Sequence, residues 1–373
     1  MLDQPLEILQ PGCVRIGTGQ ALRLDEWLRH RGLSRPVVIA DAFNAIRLSA
    51  LGLDQETPCQ AIRPEPTLTE LTEAVAYARG AWRDGPDAII GFGGGSAMDI
   101  AKLVSVMLKP DTQFDDISGP NRAPARTVPL IQIPTTAGTG SEAGTRALVT
   151  EPETLRKVAT ESPHMLADLV ILDPELTTSL PAAITAATGV DALAHCVEAF
   201  TSRRAHPIID RYALEGAQLI GKYLSRAVEN GNDHEARAGL LLASFYGGVC
   251  LGPVNTTAGH AVAYPLGTRH HLPHGLANAL MFPHVLAANQ DSCPEKTAQI
   301  AKALNLDESR PLIETAGEYC ASLALQMRLS DHNIPQDDLP EMAAEAHAIR
   351  RLLDWNPRDL TQDDILALYQ AAY

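Results

Sequence analysis

Four short runs of β-branched and aliphatic residues punctuate the first half of the chain: Pro36–Ala40, Ala88–Gly91, Val128–Ile133 and Leu169–Leu172. Amphipathic stretches separate them. Between the first two runs, Thr67-Leu68-Thr69-Glu70 has the capping-box pattern, and Leu71, Ala74, Val75 and Ala78 follow at helical spacing. Strands that are apolar on both faces and alternate with helices predict a parallel sheet covered on both sides, the doubly wound α/β arrangement. After Pro181 no such run recurs, and long alanine- and leucine-rich helical stretches take over. The expected organisation is an α/β domain over residues 1–180 and an all-helical domain over 181–373. Ligands of such sheets bind beyond the carboxyl ends of the strands, which places the expected site in a cleft between the two domains.

Charge narrows the choice of partners. The chain carries 30 Lys+Arg against 45 Asp+Glu, a net charge of -15, and has no basic run. That balance repels a nucleic-acid backbone or an anionic membrane surface. Cys13, Cys59, Cys196, Cys250, Cys293 and Cys320 are scattered, without the spacing of a zinc knuckle or a disulfide framework. Met1–Pro5 shows neither a basic nor an apolar leader segment, so the cytoplasm is the expected location. Ala238–Thr268 contains no charged residue, but Gly247-Gly248, Pro253 and Asn255-Thr256-Thr257 interrupt it; it reads as buried helix rather than a membrane span.

The second run leads into a glycine cluster, Gly91-Phe92-Gly93-Gly94-Gly95-Ser96, with helical sequence from Ala97 to Val106. Successive glycines admit a ligand close to the backbone, and a helix N-terminus offers free N–H groups to a pyrophosphate. Gly91 and Gly93 fit the first two places of G-x-G-x-x-G, but Ser96 stands at the third, where it could equally cap the helix. A second small-residue segment, Pro134–Glu142, follows the third run and could embrace the rest of a nucleotide; it includes Thr135, Thr136 and Thr139. Asp41 ends the first run, where an acid takes the ribose hydroxyls and disfavours a 2′-phosphate, so NAD is expected over NADP.

Asp191 and His195 lie four apart in a helical stretch and share one face. His260 and His274 follow. One carboxylate and three imidazoles suit Fe²⁺, Zn²⁺ or a similar ion; the same residues also suit a plain buried core.

Taken together, the motifs resemble those of the iron-containing alcohol dehydrogenases along nearly the whole chain. The likeness rests on Gly93-Gly94-Gly95-Ser96 with Asp99-Ile100-Ala101-Lys102, on Pro134–Glu142, Lys157 and Asp173-Pro174-Glu175-Leu176. It continues through Gly189–His195, Pro273-His274-Gly275, Ala277-Asn278-Ala279 and Asn356–Thr361. The resemblance implies a Rossmann-like dinucleotide-binding domain followed by a helical metal-binding domain, with NAD(P), Fe²⁺ or sometimes Zn²⁺, and dimers or higher homo-oligomers. It implies Asp191, His195, His260 and His274 as metal ligands. Gly94, Gly95, Ser96, Asp99, Thr135, Thr136, Thr139, Lys157 and Leu176 would line the cofactor site.

One position departs from the family. Where a histidine commonly follows the third ligand by four residues, this chain has Tyr264. Tyrosine is a weaker proton shuttle near neutral pH than histidine, and Tyr264 and Lys157 are the residues expected to serve catalysis. Thr268-Arg269-His270-His271 reads as a basic loop able to meet an anionic substrate tail, or as a solvated loop. Arg146, Tyr264 and Arg269 hint at a polar pocket. The expected activity is metal-dependent, NAD(H)-linked interconversion of a small alcohol and its carbonyl compound. Alternatives are a metal-independent reductase like the maleylacetate reductases, a lyase like dehydroquinate synthase, and a binding protein without turnover.

Overall fold

The computed structural model describes residues 5–153 and 157–373; Met1–Gln4, on which the expectation about a leader segment partly rests, lie outside the described residues. The chain separates into two compact units. One comprises Ile8–Thr136 and Gly140–Thr178, and the other is built chiefly from Ser179–Tyr373, with Ala137–Thr139 joining it.

In the first unit the strands run β1 (Val14–Ile16), β2 (Pro36–Asp41), β3 (Cys59–Ile62), β4 (Ala88–Gly93), β5 (Gly119–Pro120), β6 (Leu130–Pro134), β7 (Arg146–Thr150), β8 (Lys157–Glu161) and β9 (Leu169–Leu172). Six of them form a sheet in the order β1-β9-β6-β4-β2-β3, parallel throughout. β4, β6 and β9 are buried along their whole length, and β2 is buried except at Asp41. Those are the four apolar runs. The third begins at Leu130 rather than Val128, because Pro129 has no N–H to give the ladder; its carbonyl still accepts from the Ile89 N–H at 3.0 Å.

Sequence reading missed the edge strands β1 and β3, which are short and partly exposed. It also missed the antiparallel pair β7–β8, which with β5 makes a separate three-stranded sheet. From β2 the chain steps outward to β3, then returns to β4 and proceeds the other way. Strand order therefore reverses between β2 and β4, and a crevice for a ligand opens at such a reversal. Helix α1 (Leu68–Gly80) has the expected capping box, with Thr67 and Glu70 bonded reciprocally, and α2 (Gly95–Val106) follows β4.

The second unit is helical. Its elements include α3 (Ala182–Thr201), α4 (Pro207–Glu229), α5 (His234–Leu251), α6 (Ala258–His270), α7 (His274–Asn289), α8 (Leu339–His347) and the single turn α9 (Arg350–Leu353). The uncharged stretch splits into α5 and α6, and among the described residues no helix is long and apolar enough to cross a membrane. Every residue of α3 from Gly189 to Thr201 is buried. A helix enclosed all round is normally apolar, yet this one carries Asp191, His195 and Glu198 into the interior, so each must find a partner there.

Candidate functional site

Asp191, His195, His260 and His274 converge. Each offers one ligating atom, and the four atoms lie within 4.8 Å of one another. α3 supplies the first two from successive turns, α6 the third, and His274 opens α7. The Asp191 carboxylate stands 3.9 Å from His195 Nε2 and 3.6 Å from Nε2 of both His260 and His274.

The outer nitrogens decide the tautomers. His260 Nδ1 donates to Glu198 Oε1 at 2.6 Å, and the other carboxylate oxygen accepts from the backbone N–H groups of Thr257 (2.5 Å) and His260 (3.3 Å). His195 Nδ1 faces the Gly138 carbonyl at 3.3 Å, which can only accept. Both Nδ1 atoms therefore carry the proton of a neutral ring, which leaves the two Nε2 atoms as acceptors 3.0 Å apart. Two acceptors at that distance repel unless a cation or a shared proton sits with them. The donor set, its burial and its fixed tautomers fit a divalent transition-metal ion.

The electrostatics agree. Burial pushes the Asp191 carboxyl up, but the surrounding imidazoles and the Asn278 amide outweigh it and hold the group below its ordinary value. Burial pulls His195 down. Burial also pulls on His260, yet the Glu198 carboxylate prevails and raises its proton affinity; what attracts a proton to Nε2 also attracts a metal cation.

Two of these residues were not foreseen. Glu198 lies one turn beyond His195 on the same helical face, a spacing visible in the sequence, but its partner is 62 residues away. Asn278 donates its amide to Asp191 Oδ1 at 2.6 Å and approaches His274 Nε2 at 3.2 Å. Gly259 lies against Glu198: a Cβ there would meet the carboxylate at 2.6 Å, so only glycine lets the α6 backbone come this close.

Tyr264 is half-buried one turn after His260. Its ring lies over that of His274, with centroids 6.1 Å apart and planes at 29°. The basic loop differs from expectation. Arg269 is not a free cation, since it donates to Glu341 and Glu345 of α8, each at 2.7 Å. His271 closes α6 in the left-handed conformation. Arg146 likewise pairs with Glu161.

The glycine turn lies at the strand-order reversal in the sheet unit. Gly94 caps α2 without any side-chain hydrogen bond, which leaves the first N–H groups of the helix to a ligand. The helix starts at Gly95, two residues earlier than expected, so Ser96 lies inside the first turn rather than at the cap; its Oγ accepts from the Glu65 N–H at 3.2 Å. Gly93 has φ +153°, and a Cβ there would meet Asp41 Oδ2 at 2.6 Å. This contact brings the ends of β2 and β4 together. Asp41 also caps the following turn through the Asn44 N–H, and Asn44 Nδ2 bridges Asp41 and Thr135 Oγ1. Thr136 Oγ1 lies 3.4 Å from where a Gly94 Cβ would stand.

The other cofactor candidates are more dispersed. Thr139 falls in the Ala137–Thr139 segment of the helical unit. The Leu176 side chain is buried in the core beside β6 and β9, leaving its backbone for any contact. Lys157 pairs with Glu65, and burial pulls its ammonium down to about 8. Asp99 is committed within the unit. It accepts from the Leu148 N–H (2.9 Å) and Ser141 Oγ (2.5 Å), with the buried Lys102 ammonium at 3.5 Å.

Two family models cover this architecture. Iron-containing alcohol dehydrogenase matches residues 11–174, and the C-terminal part of the Fe-containing alcohol dehydrogenase family matches 185–373. The chain belongs to the iron-containing alcohol dehydrogenase family. As a member it is an oxidoreductase of the class acting on CH–OH groups. It is 38% identical over 322 residues to long-chain-alcohol dehydrogenase 1 of Geobacillus thermodenitrificans, covering 83% of this chain and 80% of that one. To the sulfoacetaldehyde reductase of Bilophila wadsworthia it is 35% identical, covering 87% and 86%. Among solved structures, that of a sulfoacetaldehyde reductase from Bifidobacterium kashiwanohense in complex with NAD+ superposes with a TM-score of 0.87 at 27% identity, covering 99% of both chains.

Proposed function

We propose that the protein is a metal-dependent, NAD(H)-linked alcohol dehydrogenase or aldehyde reductase that transfers hydride between nicotinamide and a small alcohol or carbonyl compound, anionic ones included. The observation that carries this reading is the pair of imidazole Nε2 atoms held face to face at 3.0 Å beside the Asp191 carboxylate, with both Nδ1 atoms committed. In it, Asp191, His195, His260 and His274 hold Fe²⁺, with Zn²⁺ served by the same donors. Bound there, such an ion supplies positive charge that polarises the substrate C–O group, and the nicotinamide gives or takes the hydride.

The chain's own residues do the rest. Glu198 and the Gly138 carbonyl keep the imidazoles in the ligating tautomer. The open N-terminus of α2, with Gly93, Gly94, Gly95 and Ser96, takes the pyrophosphate, and Thr135, Thr136, Thr139 and Leu176 line the remaining path of the cofactor. Asp41 accepts from the adenosine ribose, which favours NAD over NADP. Lys157 adds positive charge near the cofactor. Asp99 supports the turn from beneath, its oxygens being bonded to the Leu148 N–H and Ser141. Tyr264, whose ring lies on that of His274, carries the alcohol proton at its hydroxyl. The NAD+ complex of a structural relative and the names of the sequence relatives support the cofactor and the substrate range. Family grounds also support a homodimer or higher oligomer working in the cytoplasm on small molecules.

Anaerobic NADH oxidation by the metal-stripped protein, with and without added Fe²⁺ or Zn²⁺, tests this reading on a panel of short aldehydes and keto acids. Turnover that requires the ion and prefers NADH to NADPH is expected. Undiminished turnover after exhaustive chelation would overturn the metal assignment and move the protein to the metal-independent reductases.

A further inference from the structure

We propose that Arg351 is a specificity residue that binds the anionic end of a short carbonyl substrate, a carboxylate or sulfonate a few bonds from the reacting carbon. The inference deepens the proposed function and rests on it.

The cluster has one open flank. The side chains of Asp191, His195 and His260 are 2–5% exposed, whereas that of His274 is 34% exposed. Tyr264 covers part of that flank by stacking on His274, and the Arg351 guanidinium lies over the Tyr264 ring, its carbon 5.7 Å from the centroid. Imidazole, phenol ring and guanidinium thus form a short stack that leads outward from the cluster.

Arg351 has no carboxylate partner. Among the described residues no ion pair or hydrogen bond engages it, and no ion pair engages Arg204, which lies over the Trp355 ring; other cations of this unit are neutralised. Arg350 pairs with Asp354, Arg269 with Glu341 and Glu345, Arg358 with Asp364, and Arg203 with Asp359. In a chain of net charge -15, an exposed, unpaired guanidinium over the Tyr264 ring provides a local positive potential. Its planar fork matches the paired oxygens of a carboxylate or sulfonate, and the Tyr264 ring beneath holds it in orientation. A substrate whose carbonyl lies at the His274 flank would meet this fork with its far end. Arg269, which the sequence offered for this role, is occupied.

Steady-state kinetics on the iron-loaded holoenzyme test the proposal, with sulfoacetaldehyde and succinic semialdehyde as anionic probes and propanal and acetaldehyde as neutral ones. In Arg351→Gln the ratio of kcat/KM for anionic over neutral probes falls about 10- to 100-fold, mainly through KM, the loss of one charge-assisted contact. Arg351→Glu lowers it further, and Arg350→Gln, on the adjacent exposed residue, keeps it within about twofold. The probe with the larger drop identifies the group as sulfonate or carboxylate. A ratio in Arg351→Gln within about twofold of wild type overturns the role of Arg351 while leaving the oxidoreductase reading intact. Calorimetric binding of ethanesulfonate and propionate gives a readout independent of turnover. Should wild type reduce no carbonyl, the functional reading fails by itself, and equal anion affinity in wild type and Arg351→Gln then overturns the anion site.

Discussion

In the helical unit, the proposed site is built from four side chains that converge from three helices. At the strand ends of the sheet unit, the proposed site is built from backbone N–H groups that no side chain caps. Side-chain donors need their orientation supplied by others, and here Glu198 and the Gly138 carbonyl supply it. Backbone donors need only room, and there the glycines of the turn provide it. The first kind of site is exacting about neighbours that never touch the ligand. The second is exacting about volume and φ.

Substitutions separate the two kinds. The largest effect is expected for His260→Ala or Asp191→Asn, which remove a donor outright. Metal analysis after dialysis should find no retained ion, and anaerobic assays no turnover, while NADH binding to the sheet unit persists. Next comes Glu198→Ala, which leaves the ligands in place but frees the His260 ring; metal affinity by competition with a chelating dye should fall about 10- to 100-fold. Unchanged affinity would show that the helices alone orient the imidazole. Gly93→Ala addresses the other site. With φ at +153° and Asp41 Oδ2 in the way of a Cβ, strain of about 1–3 kcal/mol is expected, read as NADH affinity weakened about tenfold or more by fluorescence titration, with metal content intact.

The last effect leaves both sites untouched and concerns stability and pH. Glu142 is fully buried beside Lys102, and burial raises its carboxyl to about 7. Because the folded value lies above the ordinary 4.5, the folded chain keeps a proton that the unfolded chain has lost between those values. Stability therefore declines as pH rises through that window, by up to about 3 kcal/mol, and levels off above it. Glu142→Gln removes the decline. Urea unfolding at pH 5 and pH 8 should show the variant gaining on wild type at the higher pH, and parallel curves at both would refute the burial argument.

Much of this was legible in the sequence, for reasons that differ by region. The runs that became β2, β4, β6 and β9 are buried on both faces and so announce themselves as apolar segments, whereas β1 and β3 at the sheet edges carry no such mark. The spacing of Asp191 and His195 shows on a helix, and the family motifs linked them to His260 and His274. Glu198 showed the right spacing but no reason to matter until the fold brought α6 beside it. Arg269 looked free because its partners lie 72 and 76 residues further on. Arg351 looked ordinary because its position over Tyr264 is made by tertiary packing around one short turn. Local periodicity reports what an element buries; it does not report which charge another element will cancel.

On the proposed reading, the bare backbone at Gly259 bears on which ion the cluster takes. Because α6 rests directly against the Glu198 carboxylate there, the His260 ring has little slack, and on the proposed reading its place among the donors is set largely by the helices. A cage set in advance, with three imidazoles and one carboxylate, fits several first-row ions of similar radius and is reshaped by none of them. Shape then gives the proposed site little power to choose between iron and zinc, so its occupancy should follow the metal supply and the intrinsic affinity order. Enzyme prepared under different metal regimes would accordingly differ in content and rate while sharing one architecture.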